Sequence, residues 1–263
     1  MRVVAIANQK GGCGKTTTAV NLGASLGSLG QRALLVDLDP QSHATVALTD
    51  PRGMGGPGVA EVLGGKTLPG GAIVTVADGL DLLGSSPRLD ELESAWSARP
   101  GTTPAVKRAL AGVAERYDFA LLDCPPNTGP LTRAALAASD YLLLPVETSY
   151  FALYGVGRML RLVEGEAGRR GEPVPYGVLL TLFDRRTAHA REVLMQLRGH
   201  FGKNLLDTVI GIDVRLREAA SHGRPITAYR PRSRGAQRHL QLARELTARL
   251  ASKAGRKAAA GGS

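Results

Sequence analysis

Lys10, Lys15, Thr16 and Thr17 fall within one short stretch that also holds Gly11, Gly12 and Gly14. Glycines let a backbone curl until successive N–H groups point at one anion, and an ammonium beside them neutralises it. Lys15 is spaced to reach the β- and γ-phosphates of a nucleotide, and the Thr16 hydroxyl to hold Mg²⁺. Carboxylates that could complete such chemistry follow later. Asp39 ends the stretch Asp37-Leu38-Asp39-Pro40, and Asp123 opens Asp123-Cys124-Pro125-Pro126. Each follows an apolar run, and a carboxylate at the end of a buried parallel strand faces the ligand crevice. Asp39 is placed to orient an attacking water or hold it through the metal shell. Asp123 is placed to bind Mg²⁺ through water, and Pro125 and Pro126 to set a rigid turn that senses the γ-phosphate.

Those residues need elements to hold them. Residues 3–7 form an apolar run that reads as a buried strand, and residues 15 to about 29 have apolar positions at helical spacing, so the glycines lie where strand turns into helix. The ordinary P-loop has a glycine five places before Gly14, but Gln9 stands there, followed by the second lysine, Lys10. Further strands are expected at 32–38, 80–83, 119–123, 141–146 and 176–183. Helices are expected at about 59–63, 89–96, 106–114, 153–163 and 188–200, with a final helix marked by Leu240, Leu242, Ala243, Leu246 and Leu250. Residues 49–71 are rich in Gly and Pro and read as a mobile surface segment. Repeated strand and helix alternation gives one α/β domain over residues 1–250, a mostly parallel twisted sheet with helices on both faces, of the P-loop NTPase type. Residues 251–263 read as a basic, disordered tail.

The charge is unevenly placed. Of 33 Lys+Arg and 23 Asp+Glu, residues 1–184 carry 16 and 18, whereas residues 185–263 carry 17 and 5, which is net +12. A field of that sign favours a polyanion, either nucleic acid or an acidic membrane. Arginines grip phosphates without reading bases, and the scarcity of aromatics among them favours duplex over single strands. Arg186, Arg191, Arg215 and Arg217 are the candidates for contact with DNA. No apolar run reaches the roughly 20 residues of a membrane span, and no signal-peptide pattern opens the chain, so a cytoplasmic protein is expected. Cys13 and Cys124 lack metal-site spacing and read as reduced thiols.

The stretch Asn8-Gln9-Lys10-Gly11-Gly12-Cys13-Gly14-Lys15-Thr16-Thr17-Thr18 resembles the deviant Walker A signature of the ParA/Soj partition ATPases, relatives of the division-site protein MinD. The resemblance returns at Asp37-Leu38-Asp39-Pro40, at Asp123-Cys124-Pro125-Pro126, and in residues 180–187 and 214–221. It implies ATP and Mg²⁺ as cofactors, with Gly11, Gly12, Cys13, Gly14, Lys15, Thr16 and Thr17 around the phosphates. Asp123 and Pro125 would form the switch, Asp213 would approach the base, and Thr16, Asp39 and Asp123 would surround the metal. Lys15 acts in cis, Lys10 on the ATP of the partner subunit, and Asp39 in hydrolysis. The resemblance also implies an ATP-bound homodimer on nonspecific double-stranded DNA, nucleoid-associated. Its slow turnover would be stimulated by a ParB-like partner with a basic N-terminal peptide, and the cycle would segregate a chromosome, plasmid or other cargo. This chain departs from the family at Gln41-Ser42-His43, where Gln-Gly-Asn is usual, and at Gly211-Ile212-Asp213, where Pro-Arg-Asn is usual. A MinD-like membrane-cycling regulator is the alternative. It wants large apolar residues on a terminal amphipathic helix, and this tail offers alanines and glycines, so no stable membrane association is expected. A metabolic or metal-cluster enzyme on the same fold would need further cysteines or a substrate pocket.

Overall fold

Short apolar runs bounded by turn residues become the strands of one sheet. The computed structural model describes residues 1–49, 56–86, 88–98, 101–148, 152–171 and 173–260, with backbone alone at 152–155, 167–170 and 253–260. In chain order the elements are β1 (Arg2–Ile6), α1 (Lys15–Ser28), β2 (Ala33–Asp37), α2 (His43–Val46), α3 (Val59–Leu63), β3 (Ile73–Ala77), β4 (Leu80–Leu83), α4 (Arg88–Ser97), α5 (Ala105–Ala111) and β5 (Phe119–Asp123). They continue as α6 (Pro130–Ala138), β6 (Tyr141–Glu147), α7 (Ala152–Arg170), β7 (Tyr176–Phe183), α8 (Ala188–Phe201), β8 (Leu205–Gly211), α9 (Val214–Ser221), α10 (Ile226–Tyr229) and α11 (Arg234–Ala260).

The eight strands run in the order β3-β4-β2-β5-β1-β6-β7-β8. Every neighbouring pair is parallel except β3 with β4. Strand alternation feeds two cores. Val3 and Ala5 enter one, while Val4 and Ile6 enter the other, which is closed by α1 and α11 through Leu22, Leu26, Leu242 and Leu246. β1 lies at the centre, its C-terminal end flanked by those of β5 and β6, and that is where a doubly wound sheet opens its ligand crevice. Among the described residues no helix is long and apolar enough to cross a membrane.

Six elements, α2, β3, α6, β8, α9 and α10, are not apparent from the sequence pattern. β3 is a half-exposed edge strand with no clean alternation, β8 carries Asp207 and Thr208 inside its run, and α6 is alanine-rich. The segment 49–71 contains α3, and residues 50–55 of it lie outside the described residues. The tail also differs from expectation. α11 continues through Ala260, because the alanines, Arg256 and Lys257 of the tail are good helix formers and no glycine cap stops the helix at Leu250. Residues 261–263 lie outside the described residues.

Candidate active site

The glycine-rich turn follows β1 and opens α1. Gly12 and Gly14 have φ of 75° and 85°, a left-handed region that a side chain enters only with strain. A Cβ at Gly11 or Gly12 would meet nothing within 4 Å, so the space beside this backbone is open. Gly14 is the N-cap of α1 and supplies no side-chain cap, which leaves the first-turn N–H groups free for an anion. The turn itself is fastened at three points. Asn8 Nδ2 donates to Pro145 O (2.7 Å) while its Oδ1 accepts from Lys10 N (3.1 Å). Cys13 O accepts from Thr181 Oγ1 (2.8 Å). Asn21 Nδ2 donates to Thr17 O (2.8 Å) and its Oδ1 accepts from Ile226 N (2.7 Å).

Lys15 is 7% exposed, and its ammonium donates to Lys10 O (3.1 Å). Lys10 forms an ion pair with Glu147 at the end of β6, within the same chain. The outward reach expected for Lys10 is therefore turned, in the single chain, towards its own β6. Cys13 is buried, its thiol donates to Lys10 O (3.2 Å), and burial pushes its pKa up.

Three aspartates meet opposite the turn. Asp123 is fully buried, and neither carboxylate oxygen has a hydrogen-bond partner of ordinary geometry. Burial, reinforced by the charge of Asp37, raises its pKa well above the usual carboxylate range, tempered by the Thr16 hydroxyl and the Lys15 ammonium. Asp37 accepts from Thr45 N (2.8 Å), Thr45 Oγ1 (2.7 Å) and Asp39 N (3.2 Å), yet burial still pushes it up to about 6. The backbone of Asp39 is held by Ser42 N (2.8 Å) and Ser85 Oγ (2.8 Å), both donating to its carbonyl. Its carboxylate accepts from Gln41 N (3.0 Å). Asp37, Thr45 and Ser85 thus form the frame that aims Asp39. Ser42, where the resembled family has glycine, sits at φ 55°.

Gly11, Gly12, Gly14, Lys15, Thr16, Thr17 and Asp39 line one cavity of about 610 Å³ with Pro126, His43 and Arg224. Cys13 and Asp123 lie buried behind it, and Pro125 is also buried. Asp213 stands apart from that cavity. Its carboxylate caps α9 by accepting from Arg215 N (3.1 Å) and receives Gly235 N (2.9 Å). It also lines a smaller cavity of about 120 Å³ with Gly14, Thr17 and Arg217. The residues fit Mg·ATP. A buried carboxylate with no well-formed hydrogen bond, a hydroxyl beside it and an open N–H cradle are what a metal-bound triphosphate would complete, and Mg²⁺ needs few protein ligands when phosphates supply the rest. Among the described residues no group of three or more His, Cys, Asp or Glu is placed to hold a metal.

The family model described as "AAA domain" matches residues 1–167. "Chromosome-partitioning ATPase Soj" of Thermus thermophilus is 44% identical over 251 residues, covering 95% of this chain and 97% of that protein. "Sporulation initiation inhibitor protein Soj" of Bacillus subtilis is 40% identical over 255 residues, covering 94% and 98%. The chain belongs to the Soj/ParA family of partition ATPases. A structure of cobyrinic acid a,c-diamide synthase from Mycobacterium smegmatis with bound ATP analog and magnesium has a TM-score of 0.82 and 34% identity, covering 96% of this chain and 97% of that one. An ATP complex of Cyanothece McdA, at a TM-score of 0.81 and 22% identity, covering 93% and 95%, shares the fold. That Mycobacterium smegmatis protein has been solved with an ATP analog and with ADP, each with magnesium, and the phosphate turn and carboxylates described above fit the same ligands.

A second concave surface lies just past the C-terminal ends of β7 and β8. Arg186 lines a groove of about 810 Å³ with Arg185, Arg234, Arg238, Asp184 and Asp213. Its guanidinium forks onto Asp184, Nη2 to Oδ2 at 2.7 Å and Nε to Oδ1 at 2.9 Å. Arg215 reaches Asp213 at 4.0 Å but does not itself line the groove. Arg191 is exposed on α8 and Arg217 on α9, away from the groove lining. Reading the sequence missed Asn8, Asn21, Thr45, Ser85, Glu147 and Thr181. Glu147 and Thr181 could have been found by the rule that singled out Asp123, since both stand at the C-terminal ends of parallel strands.

Proposed function

We propose that this chain is an ATP-switched partition protein. It would dimerise with ATP, bind nonspecific duplex DNA in that state, and leave it on hydrolysis. The observation that carries the reading is Lys10, a second lysine on the rim of the phosphate turn, in a chain 44% identical to a chromosome-partitioning ATPase. The Lys10 side chain is 41% exposed and that of its partner Glu147 is 24% exposed, so exchanging that carboxylate for the phosphates of a second copy's ATP needs no unfolding.

Lys15 would neutralise the β- and γ-phosphates in cis, with first-turn N–H groups of α1 cradling them. Asp39, aimed by Asp37, Thr45 and Ser85, would orient the attacking water. Thr16 and Asp123 would hold Mg²⁺, which when bound supplies charge neutralisation to the transferring phosphoryl group. Intrinsic turnover would be slow, and a ParB-like partner carrying a basic peptide would stimulate it. Arg186 and Arg215, with Arg191 and Arg217 on neighbouring exposed faces, would grip phosphates of the duplex, and two copies would make one continuous patch on the nucleoid.

The test is binding of the purified protein to a random-sequence duplex with ATP, ADP or no nucleotide, across a salt series, beside Lys10→Ala. Binding with ATP alone, weakened by salt and lost in Lys10→Ala, is the expected result. Binding to anionic liposomes with DNA ignored would replace this reading with a membrane-cycling one. ATP turnover that needs an acid and an amine donor would replace it with the amide synthesis named for the Mycobacterium smegmatis protein.

A further inference from the structure

A third cavity, of about 330 Å³, is lined by Gln9, Thr128, Arg133, Arg158, Arg161, Leu162 and Gly165. Three guanidinium groups converge there, within the two thirds of the chain that is otherwise net acidic. Residues 158, 161, 162 and 165 are spaced i, i+3, i+4 and i+7, so one face of α7 forms a wall of the pocket, while Val156, Met159 and Val163 of the same helix are buried in the core. Arg133, from α6, is held in place. Its Nε donates to Thr128 O (3.2 Å) and its Nη1 reaches Glu166 Oε1 (3.5 Å). Glu166 is buried at 1% exposure, so it fixes Arg133 from behind. Arg158 and Arg161 make no ion pair or hydrogen bond among the described residues and are exposed at the rim.

We propose that this pocket docks a run of carboxylates on an acidic peptide segment of a protein partner. Guanidinium forks match planar carboxylates in pairs, and one fixed arginine with two free ones suits a ligand that presents several such groups on flexible stems. Among the described residues no aromatic side chain lines the pocket, and those that do line it offer charge rather than a face for a base to stack on. The arginines line a hollow rather than a ridge, which a rigid duplex backbone does not enter. The rim leaves a ligand open to solvent on one side, as a peptide lies, whereas small molecules are mostly enclosed. The pocket also touches both Gln9, beside Lys10, and Thr128, in the loop that follows Pro125 and Pro126. Its occupant therefore sits against the two segments that flank the phosphates.

The test is fluorescence anisotropy of labelled hexaglutamate on the full chain with ADP and Mg²⁺, beside hexalysine, with pyrophosphate and random duplex as competitors. Hexaglutamate is expected to bind, hexalysine not to, and Arg158→Glu/Arg161→Glu to weaken binding about tenfold or more, with far-ultraviolet circular dichroism unchanged. Should the double reversal fail to fold, Arg158→Gln/Arg161→Gln should still weaken it severalfold. ATP-dependent duplex binding should be the same in the variants. Absent hexaglutamate binding, or binding indifferent to both double variants, overturns the proposal. Pyrophosphate binding in the pocket without hexaglutamate binding overturns it in favour of a phosphate ligand. Loss of duplex binding in the variants makes the pocket part of the DNA surface, and overturns it too.

Discussion

Asp123→Asn should make the nucleotide-free protein more stable. The wild-type carboxylate is fully buried and neither oxygen is hydrogen-bonded in ordinary geometry, so the folded state keeps a group whose charge burial disfavours. Asparagine has nearly the same volume, so no cavity opens and the change is electrostatic. Above the unfolded pKa and up to the folded one, each pH unit costs the carboxylate about 1.4 kcal/mol that the neutral amide is spared, and a gain of about 1–3 kcal/mol corresponds, for a chain of this size, to a melting temperature raised by roughly 2–12 °C. The sign with pH follows from proton counting. The folded pKa lies above the unfolded value of about 3.9, so between the two the folded state holds more protons, and wild-type stability falls as pH rises through that interval. Below about pH 4 Asp123 is protonated in both states, and the advantage of asparagine disappears. Differential scanning fluorimetry of both proteins without Mg²⁺ or nucleotide, from pH 5 to pH 8, reads this directly. The advantage should be largest at pH 8 and shrink towards pH 5, while Mg·ATP, which stabilises the wild type, should stabilise the variant far less. A variant less stable than wild type at pH 8, or an advantage equal at both ends, would refute the reasoning.

Gly12→Ala should cost about 1 kcal/mol of stability, because φ is 75° there and the Cβ meets no protein atom. Since that Cβ enters the open cradle, affinity for a fluorescent ATP analogue should drop more than tenfold. Asn21→Ala removes both ties of a side chain that joins α1 to Ile226, and the orphaned buried N–H of Ile226 should lower stability by about 1–3 kcal/mol, seen as a lower denaturant midpoint with an unchanged slope. Glu147→Gln releases Lys10 from a half-exposed ion pair worth about 0–1 kcal/mol. If Lys10 acts across the dimer, two such pairs are exchanged per dimer, and sedimentation at fixed ATP should show up to about thirtyfold tighter dimerisation; an unchanged or weaker dimer would count against that role.

The phosphate turn was legible because its chemistry is local: Gly12 and Gly14 have to be glycine, and Lys15 and Thr16 follow them at fixed spacing. The strands that hold Asp39 and Asp123 were legible for the same reason, being uninterrupted apolar runs buried on both faces. What escaped depends on long-range neighbours. Thr181 bonds to Cys13 across 168 residues, Asn21 to Ile226 across 205, and Asn8 to Pro145 across 137, and no local spacing marks such pairs. β3 escaped because an edge strand buries too little to enforce alternation. Asp213 was matched to a family position, but its neighbours Gly211 and Ile212 differ from the family pattern, and here its carboxylate is taken up by helix capping.

The bond from Thr181 to Cys13 sets how short the path is between the two ends of this molecule's chemistry. Beyond Thr181 comes Leu182 at φ 51°, a conformation costly for leucine, then Phe183 and the loop that carries Asp184, Arg185 and Arg186. A displacement of the Cys13 carbonyl therefore has few residues in which to dissipate, and one of them already sits in a stiff, sparsely populated backbone state. The phosphate turn and the arginine loop are thus tied to one strand end, Thr181 holding the turn and Asp184, three residues on, opening the loop.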